Sequence, residues 1–310
     1  MVRDPAINQL HPLVPALYFA GALGLCMGAF HPVFTGLALV CGLVYNGYLR
    51  GGEALLKSLG WQVPLVLVLV IINPLVGSQG RTVLFEVFGR AVALEKLLYG
   101  VCMGEMLMAT IAWFSSAARV MTTEKVTMLT GRVAPVVGTT LSLATRLVPV
   151  FLWRATLVEE VARANTAAVA GAAGVAGAAG VGEAGGPGGW LSRIKRNVSD
   201  VSRRISVLMG WGMEDSLQTA DSMLCRGWGS TKAHTTYRRY RMTVLDWIAL
   251  GVIAAVFMPA LLGAIHLAGP FQWYPVMGPW AGGAWWGYVA FGLYLLLPLI
   301  FEGGMRRLWK

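Results

Sequence analysis

The sequence predicts an all-α integral membrane protein, with about six transmembrane helices and long cytoplasmic helices between the fourth and the fifth. Three observations predict it. Of 310 residues, 56% are hydrophobic and only 13% charged, roughly half the charged share of an ordinary soluble domain, which is about 25%. The apolar residues gather in runs long enough to span a bilayer as helix, which takes roughly 17–25 residues. The charge gathers elsewhere. Residues 115–242 hold 16 of the 25 Lys and Arg and 8 of the 15 Asp and Glu, a net +8 out of the chain's +10.

The elements follow in order. The first dozen residues are polar, and the apolar run after them leads into more apolar runs rather than to a small-residue cleavage site, so the first helix is expected to stay. Residues 13–30 and 33–49 form the first two spans, parted by His31-Pro32, because the residue before a proline is steered out of the helical region. Residues 61–76 form a short third span, extendable by 55–59 and closed by Asn73-Pro74. Residues 94–114 form the fourth, 245–267 the fifth and 284–301 the sixth. These limits give three regions: N-terminal transmembrane helices over 1–114, a charged cytoplasmic region over 115–242, and C-terminal transmembrane helices over 243–310.

The central region reads as two helical blocks around a Gly/Ala-rich tract. In the first block, 133–161, apolar residues alternate with Arg132, Arg146, Arg154, Glu159 and Glu160, and Pro135 and Pro149 divide it into pieces. The tract 164–189 reads as a flexible loop, since glycine raises the entropy cost of order. Small-residue packing between membrane helices is the other reading. In the second block, 190–228, Arg193, Lys195, Arg196, Arg203 and Arg204 crowd the first half. Ile194, Val198, Val201, Ile205, Leu208 and Met209 recur at helical spacing. Such helices suit the membrane interface or the surface of a partner, and periodicity leaves both open.

Basic excess marks the cytoplasmic side. With 115–242 inside, four preceding spans put the N-terminus inside, and two following spans put Arg306, Arg307 and Lys310 inside. Arg50 and Lys57 agree. The connection 268–283 lies outside and carries no charge. Arg81, Arg90 and Lys96 lie outside against the rule, offset by Glu86 and Glu95.

The sequence argues against several chemistries. Gly227-Trp-Gly-Ser-Thr-Lys232 has the wrong order for a phosphate loop, and Ala233 follows the lysine, so the chain is not expected to hydrolyse ATP. No HExxH or GxSxG occurs, and no aspartate pair suits a membrane prenyltransferase. The histidines His11, His31, His234 and His266 are scattered. Cys26, Cys41, Cys102 and Cys225 form no CxxC pair and read as packing residues. No metal, cofactor or nucleic acid is expected. The ionisable residues of the spans are Glu105, with Asp246 and Glu302 at helix ends. An intramembrane carboxyl is a functional candidate, so a self-contained carrier or membrane enzyme using Glu105 is the alternative function. A hydrogen bond to a neighbouring helix is the plainer role.

Residues 211–229 carry the strongest positive signal. A glycine ends helices, and an arginine just before it favours the negative end of the helix dipole. Those rules alone explain Arg226-Gly227. Yet Glu214, Asp215, Asp221 and Arg226 share one polar helix in an oily protein. A guanidinium at its tip can donate several hydrogen bonds to carboxylates or carbonyls of a docked domain.

Ala220-Asp-Ser-Met-Leu-Cys-Arg-Gly-Trp-Gly229 resembles the coupling-helix signature of the transmembrane (T) component of energy-coupling factor transporters, ABC-type importers of vitamins and transition-metal ions. Other pieces resemble the family in the same order: His11-Pro12, Ile72-Asn-Pro-Leu75, Thr122-Thr-Glu-Lys125, Gly131-Arg-Val-Ala-Pro135 and Leu141-Ser-Leu-Ala-Thr-Arg-Leu-Val-Pro149. The resemblance covers nearly the whole chain. It implies a non-catalytic, multi-pass cell-membrane subunit with three partners: two ABC ATPases, which bind the ATP, and a separate substrate-binding (S) membrane subunit. It implies two Arg motifs at the ends of two long helices, each docked in an ATPase groove. The second falls on Cys225, Arg226 and Gly227. The first falls near residues 160–165, where Ala162, Arg163 and Ala164 stand in, although no glycine follows Arg163. The apolar faces around 133–150 and 198–209 would meet the substrate-binding subunit.

Overall fold

Local residues set several of the helix starts. His31 is extended and caps the second helix: its Nδ1 accepts the Val33 N–H at 3.3 Å, and Pro32 takes the first helical position, where a missing N–H costs nothing. His11 Nδ1 accepts the Leu13 N–H in the same way, also at 3.3 Å. Thr243 and Asp246 form a reciprocal capping box at the start of the eighth helix, satisfying two backbone donors at once.

The computed structural model describes residues 10–76, 82–87, 90–176, 189–230, 241–273, 278 and 285–308. Among these, the chain is helical apart from one hairpin. The elements are α1 (Leu13–Gly28), α2 (Pro32–Arg50), α3 (Gly52–Val76), β1 (Val83–Val87), β2 (Arg90–Ala93), α4 (Leu94–Val120), α5 (Thr123–Val133), α6 (Pro135–Ala176), α7 (Gly189–Cys225), α8 (Val244–Ala268) and α9 (Trp285–Leu308). β1 and β2 pair antiparallel. The chain divides into two units, Met1–Thr130 with Tyr240–Lys310, and Gly131–Arg239.

The first unit is a helix bundle. Its core is aromatic: Trp113, Tyr18, Tyr45, Tyr294, Phe34 and Phe291 are all fully buried. Buried aromatic polar groups need partners, and several find backbone carbonyls. Tyr18 Oη donates to the Leu295 carbonyl at 3.1 Å, Tyr294 Oη to the Tyr18 carbonyl at 3.0 Å, and Trp113 Nε1 to the Ala38 carbonyl at 3.1 Å. Small residues let helices approach. A Cβ on Gly263 of α8 would stand 2.5 Å from Gly287 Cα of α9. Such glycine contacts hold helices together where the hydrophobic effect cannot, because lipid is as apolar as the side chains.

Contacts between helix ends fix the order of up and down. At one end, the His11 N–H donates to Asp246 Oδ1 at 2.8 Å, joining the start of α1 to the start of α8. Arg119 Nη1 donates to the Leu49 carbonyl at 2.9 Å, joining the end of α4 to the end of α2. At the other end, Phe30 lies 5.1 Å from Tyr99 and 4.9 Å from Trp273, and His31 lies 4.5 Å from Phe271, ring centre to ring centre. There the end of α1 meets the start of α4 and the segment after α8. Asn73 Nδ2 reaches the Lys96 carbonyl at 3.5 Å, so α3 also ends at this level. The six helices therefore alternate in direction, and α4 ends at the same end of the bundle at which α8 begins.

Six described helices are long and apolar enough to cross a membrane. They are not quite the six expected. α1 has 16 residues, or about 24 Å at 1.5 Å per residue, short of a roughly 30 Å hydrocarbon core. In its place stands residues 136–165 of α6, a stretch of 30 residues in the region assigned to the cytoplasm.

The second unit holds α6 and α7. Pro135 does begin a helix, but Pro149 does not divide it: α6 runs through that proline for 42 residues. A proline removes one hydrogen bond and crowds one carbonyl, which a long helix absorbs as a kink. The tract expected as a loop over 164–189 is helical as far as Ala176, and α7 has begun by Gly189. Alanine is the best helix former, and its frequency there outweighs scattered glycines. The rest of that tract, 177–188, lies outside the described residues, as does most of the connection 268–283.

Candidate functional site

The polar signature at 220–229 ends α7 in a cap whose geometry can be read bond by bond. The Trp228 N–H donates to the Met223 carbonyl at 2.9 Å, and the Gly227 N–H to the Leu224 carbonyl, also at 2.9 Å. Gly227 has φ +80°. This six-to-one and five-to-two pair around a left-handed glycine is the Schellman motif. Gly227 is there because a Cβ disfavours that conformation. Ser230 then folds back, its N–H and Oγ both reaching the Gly227 carbonyl, at 3.1 and 2.7 Å. The turn is a rigid knob rather than a frayed end. Cys225, Arg226 and Gly227 are all exposed on it. The Arg226 guanidinium has no hydrogen-bond or ion-pair partner among the described residues, so the knob presents an uncommitted cation.

The other expected motif is placed differently. Ala162, Arg163 and Ala164 lie inside α6, which continues 12 residues beyond Ala164 to Ala176. Arg163 is largely exposed, and its Nη2 bonds Glu159 Oε1 at 2.6 Å, one turn back. The motif has the exposed arginine that the resemblance implies but not the helix end.

α6 and α7 meet near mid-length. Phe151 packs over Gly212: a Cβ on that glycine would come within 2.7 Å of Phe151 Cζ. Two ion pairs lie beside this contact, Arg154 with Asp215 at 3.5 Å and Arg204 with Glu159 at 3.9 Å. On α7, Val201, Ile205, Met209, Met213 and Leu217 form an exposed apolar stripe four residues apart. On α6, Val136, Val137, Val148, Leu152, Trp153 and Val161 are exposed. Both helices thus carry uncovered oily surface of a kind that marks interaction with protein or membrane.

The remaining candidates fall in the first unit. Glu105 sits on α4, half-buried, and accepts the Thr35 hydroxyl of α2 at 3.2 Å. That is the helix-to-helix hydrogen bond expected as its plainer role. Glu302 is buried. Asp246 is fully engaged by Thr243 and His11. Lys125, in the Thr122–Lys125 piece, is buried near the start of α5. Burial holds its ammonium below the ordinary lysine value, because desolvation penalises the charged form. A cleft of about 350 Å³ between α1 and α8 is lined by Gly24, Leu25, Gly28, Leu261 and Ala264 among others, none with a polar side chain. No cluster of His, Cys, Asp and Glu suited to a metal occurs among the described residues.

Sequence reasoning missed the crossing pairs Arg154–Asp215 and Arg204–Glu159 and the Phe151–Gly212 contact. Their partners are 45 to 61 positions apart, and no local pattern links them. Compared with protein-family models and with curated proteins, the chain matches none.

Proposed function

We propose that this chain is the non-catalytic coupling subunit of an ATP-driven importer of the energy-coupling factor type. In this reading it passes the motion of two ATPase subunits to a separate substrate-binding membrane subunit that takes up a vitamin or metal ion. The observation that carries the proposal is the pair of long crossed helices, one of them tipped by a rigid knob with an exposed arginine.

Connectivity supports the sidedness. The segment between α4 and α8 leaves and re-enters the bundle at the same end, so it crosses the membrane an even number of times. α7 cannot cross, because Arg204, Glu214, Asp215 and Asp221 interrupt it and charges at mid-bilayer cost several kcal/mol each. α6 then does not cross either, long and apolar though it is. Both helices stay on one side, and the basic excess of that segment assigns it to the cytoplasm. The apolar faces of α6 and the Val201–Leu217 stripe of α7 are the surfaces for the lipid interface and the substrate-binding subunit.

The mechanism is mechanical. α6 and α7 are roughly 63 and 55 Å long at 1.5 Å per residue. Two rods meeting at mid-length act like scissors: closing the tips moves the opposite arms. ATP binding draws the two ATPases together, and Arg226 on its knob carries one share of that movement into α7. Hydrogen bonds from a guanidinium fork fix direction as well as position, which a lever needs.

The test is affinity purification of the chain in mild detergent, with identification of what accompanies it. Two ATPase subunits and a small membrane protein are expected. Arg226→Glu should leave the chain in the membrane at normal level and lose the ATPases. Wild-type chain that purifies without any ATPase, or a variant that keeps both, overturns the proposal.

A further inference from the structure

Glu159 stands between two arginines. Its Oε1 is 2.6 Å from Arg163 Nη2 on its own helix and 3.9 Å from Arg204 Nη1 on α7. One oxygen therefore faces two guanidinium groups, and the distances rank them. The first contact is a short charge-assisted hydrogen bond, while the second is too long to be one. The order of residues favours the local pair as well, since a glutamate four positions before a cation is the better orientation on a helix. Arg204 and Glu159 are each only about two-fifths exposed, and Arg163 is 77% exposed. The outer arginine is thus largely exposed, and the inner one faces the crossing.

We propose that Glu159 is an exchange residue: it is held by Arg163 in the free protein and passes to Arg204 when Arg163 is taken by a partner's carboxylates or carbonyls. The role of the visitor rests on the coupling-subunit reading, but the exchange itself does not. When Arg163 leaves, Glu159 keeps one cation within reach, and the contact to Arg204 shortens from 3.9 Å to hydrogen-bond length. That contact ties α6 to α7 at their crossing, beside the Arg154–Asp215 pair. Occupying the outside of α6 thereby tightens the pivot. Linkage makes the effect reciprocal, so a tightened pivot raises the partner's affinity for Arg163. Glu159 acts through its two neighbours and is a positioning residue.

The experiment uses the full chain in lipid nanodiscs, with Cys225→Ser and spin labels at Val161→Cys and Val201→Cys. Arg163→Ala mimics removal of Arg163. It is expected to narrow the label distance distribution and shorten its mean by about 1 Å, the difference between the present contact and a hydrogen bond. Arg163→Lys should restore the wild-type distribution, and Glu160→Gln, at the neighbouring carboxylate, should leave it unchanged. In a Glu159→Gln or an Arg204→Gln background, Arg163→Ala should do nothing. An unchanged distribution in Arg163→Ala, or the same shift with Glu159→Gln present, overturns the exchange. A purified complex with ATPases whose distribution matches the free wild type overturns the partner-driven half. Absence of any ATPase refutes the coupling reading instead and leaves the nanodisc result to judge the exchange.

Discussion

At the residue scale, the knob after α7 depends on one backbone conformation. Gly227 has φ +80°, and an L-residue there costs roughly 1–2 kcal/mol. Gly227→Ala should speed hydrogen exchange at Gly227 and Trp228 and weaken ATPase retention, without changing membrane insertion. Exchange as slow as wild type would show that the cap does not depend on this glycine. In the bundle, Trp113→Phe removes the donor to the Ala38 carbonyl. It should lower stability by about 1–3 kcal/mol through the lost hydrogen bond and the space left behind, read as a lower midpoint of thermal unfolding in detergent. Glu105→Gln should leave uptake within about twofold, since an amide oxygen accepts the same bond from Thr35. A complete loss of uptake would return Glu105 to the position of a mechanistic residue. The Arg226-Gly227 end was legible in the sequence because its rules are local, a glycine in the left-handed region and a cation at the dipole's negative end. The Glu159–Arg204 pair was illegible because it exists only once two helices cross.

At the element scale, the sequence marked most helices and misjudged where some of them stop. The apolar runs match α2 and α8 to within a residue at each end and find the starts of α4 and α9, which run six and seven residues further than expected. Pro149 and the Gly/Ala tract misled because each is a local penalty of about 1–3 kcal/mol, whereas a helix of 42 residues is stabilised as a whole. The β1–β2 hairpin went unread although Val83-Leu-Phe-Glu-Val87 is rich in strand formers, because so short a run is ambiguous beside long apolar helices. The glycine pair between α8 and α9 makes a prediction at this scale. Gly263→Val forces its side chain into Gly287 and should cost about 1–3 kcal/mol through overpacking, whereas Gly251→Val, where a Cβ meets nothing within 4 Å, should cost far less. Thermal unfolding of the two variants in the same detergent compares them directly.

At the scale of the whole molecule, fold class followed from composition: an oily chain whose charge gathers in one region is expected to be a membrane protein, and six described helices are long and apolar enough to cross a membrane. Which helices cross is not legible from hydropathy alone, since α6 passes the same test of length and apolarity as five helices of the bundle. The contacts His11–Asp246 and Arg119–Leu49 bring both ends of the central segment to one end of the bundle, which supports the proposed placement of α6 and α7 on one side of the membrane. The chain itself supplies a reporter. Cys225 is exposed beside Arg226, while Cys26, Cys41 and Cys102 are buried. A membrane-impermeant maleimide applied to the wild-type protein in sealed cells and in inside-out vesicles therefore reads the side on which the knob lies. The account predicts no labelling from outside, labelling in vesicles stripped of peripheral proteins, and protection of Cys225 when the ATPases remain bound. Labelling of Cys225 from outside sealed cells would contradict it.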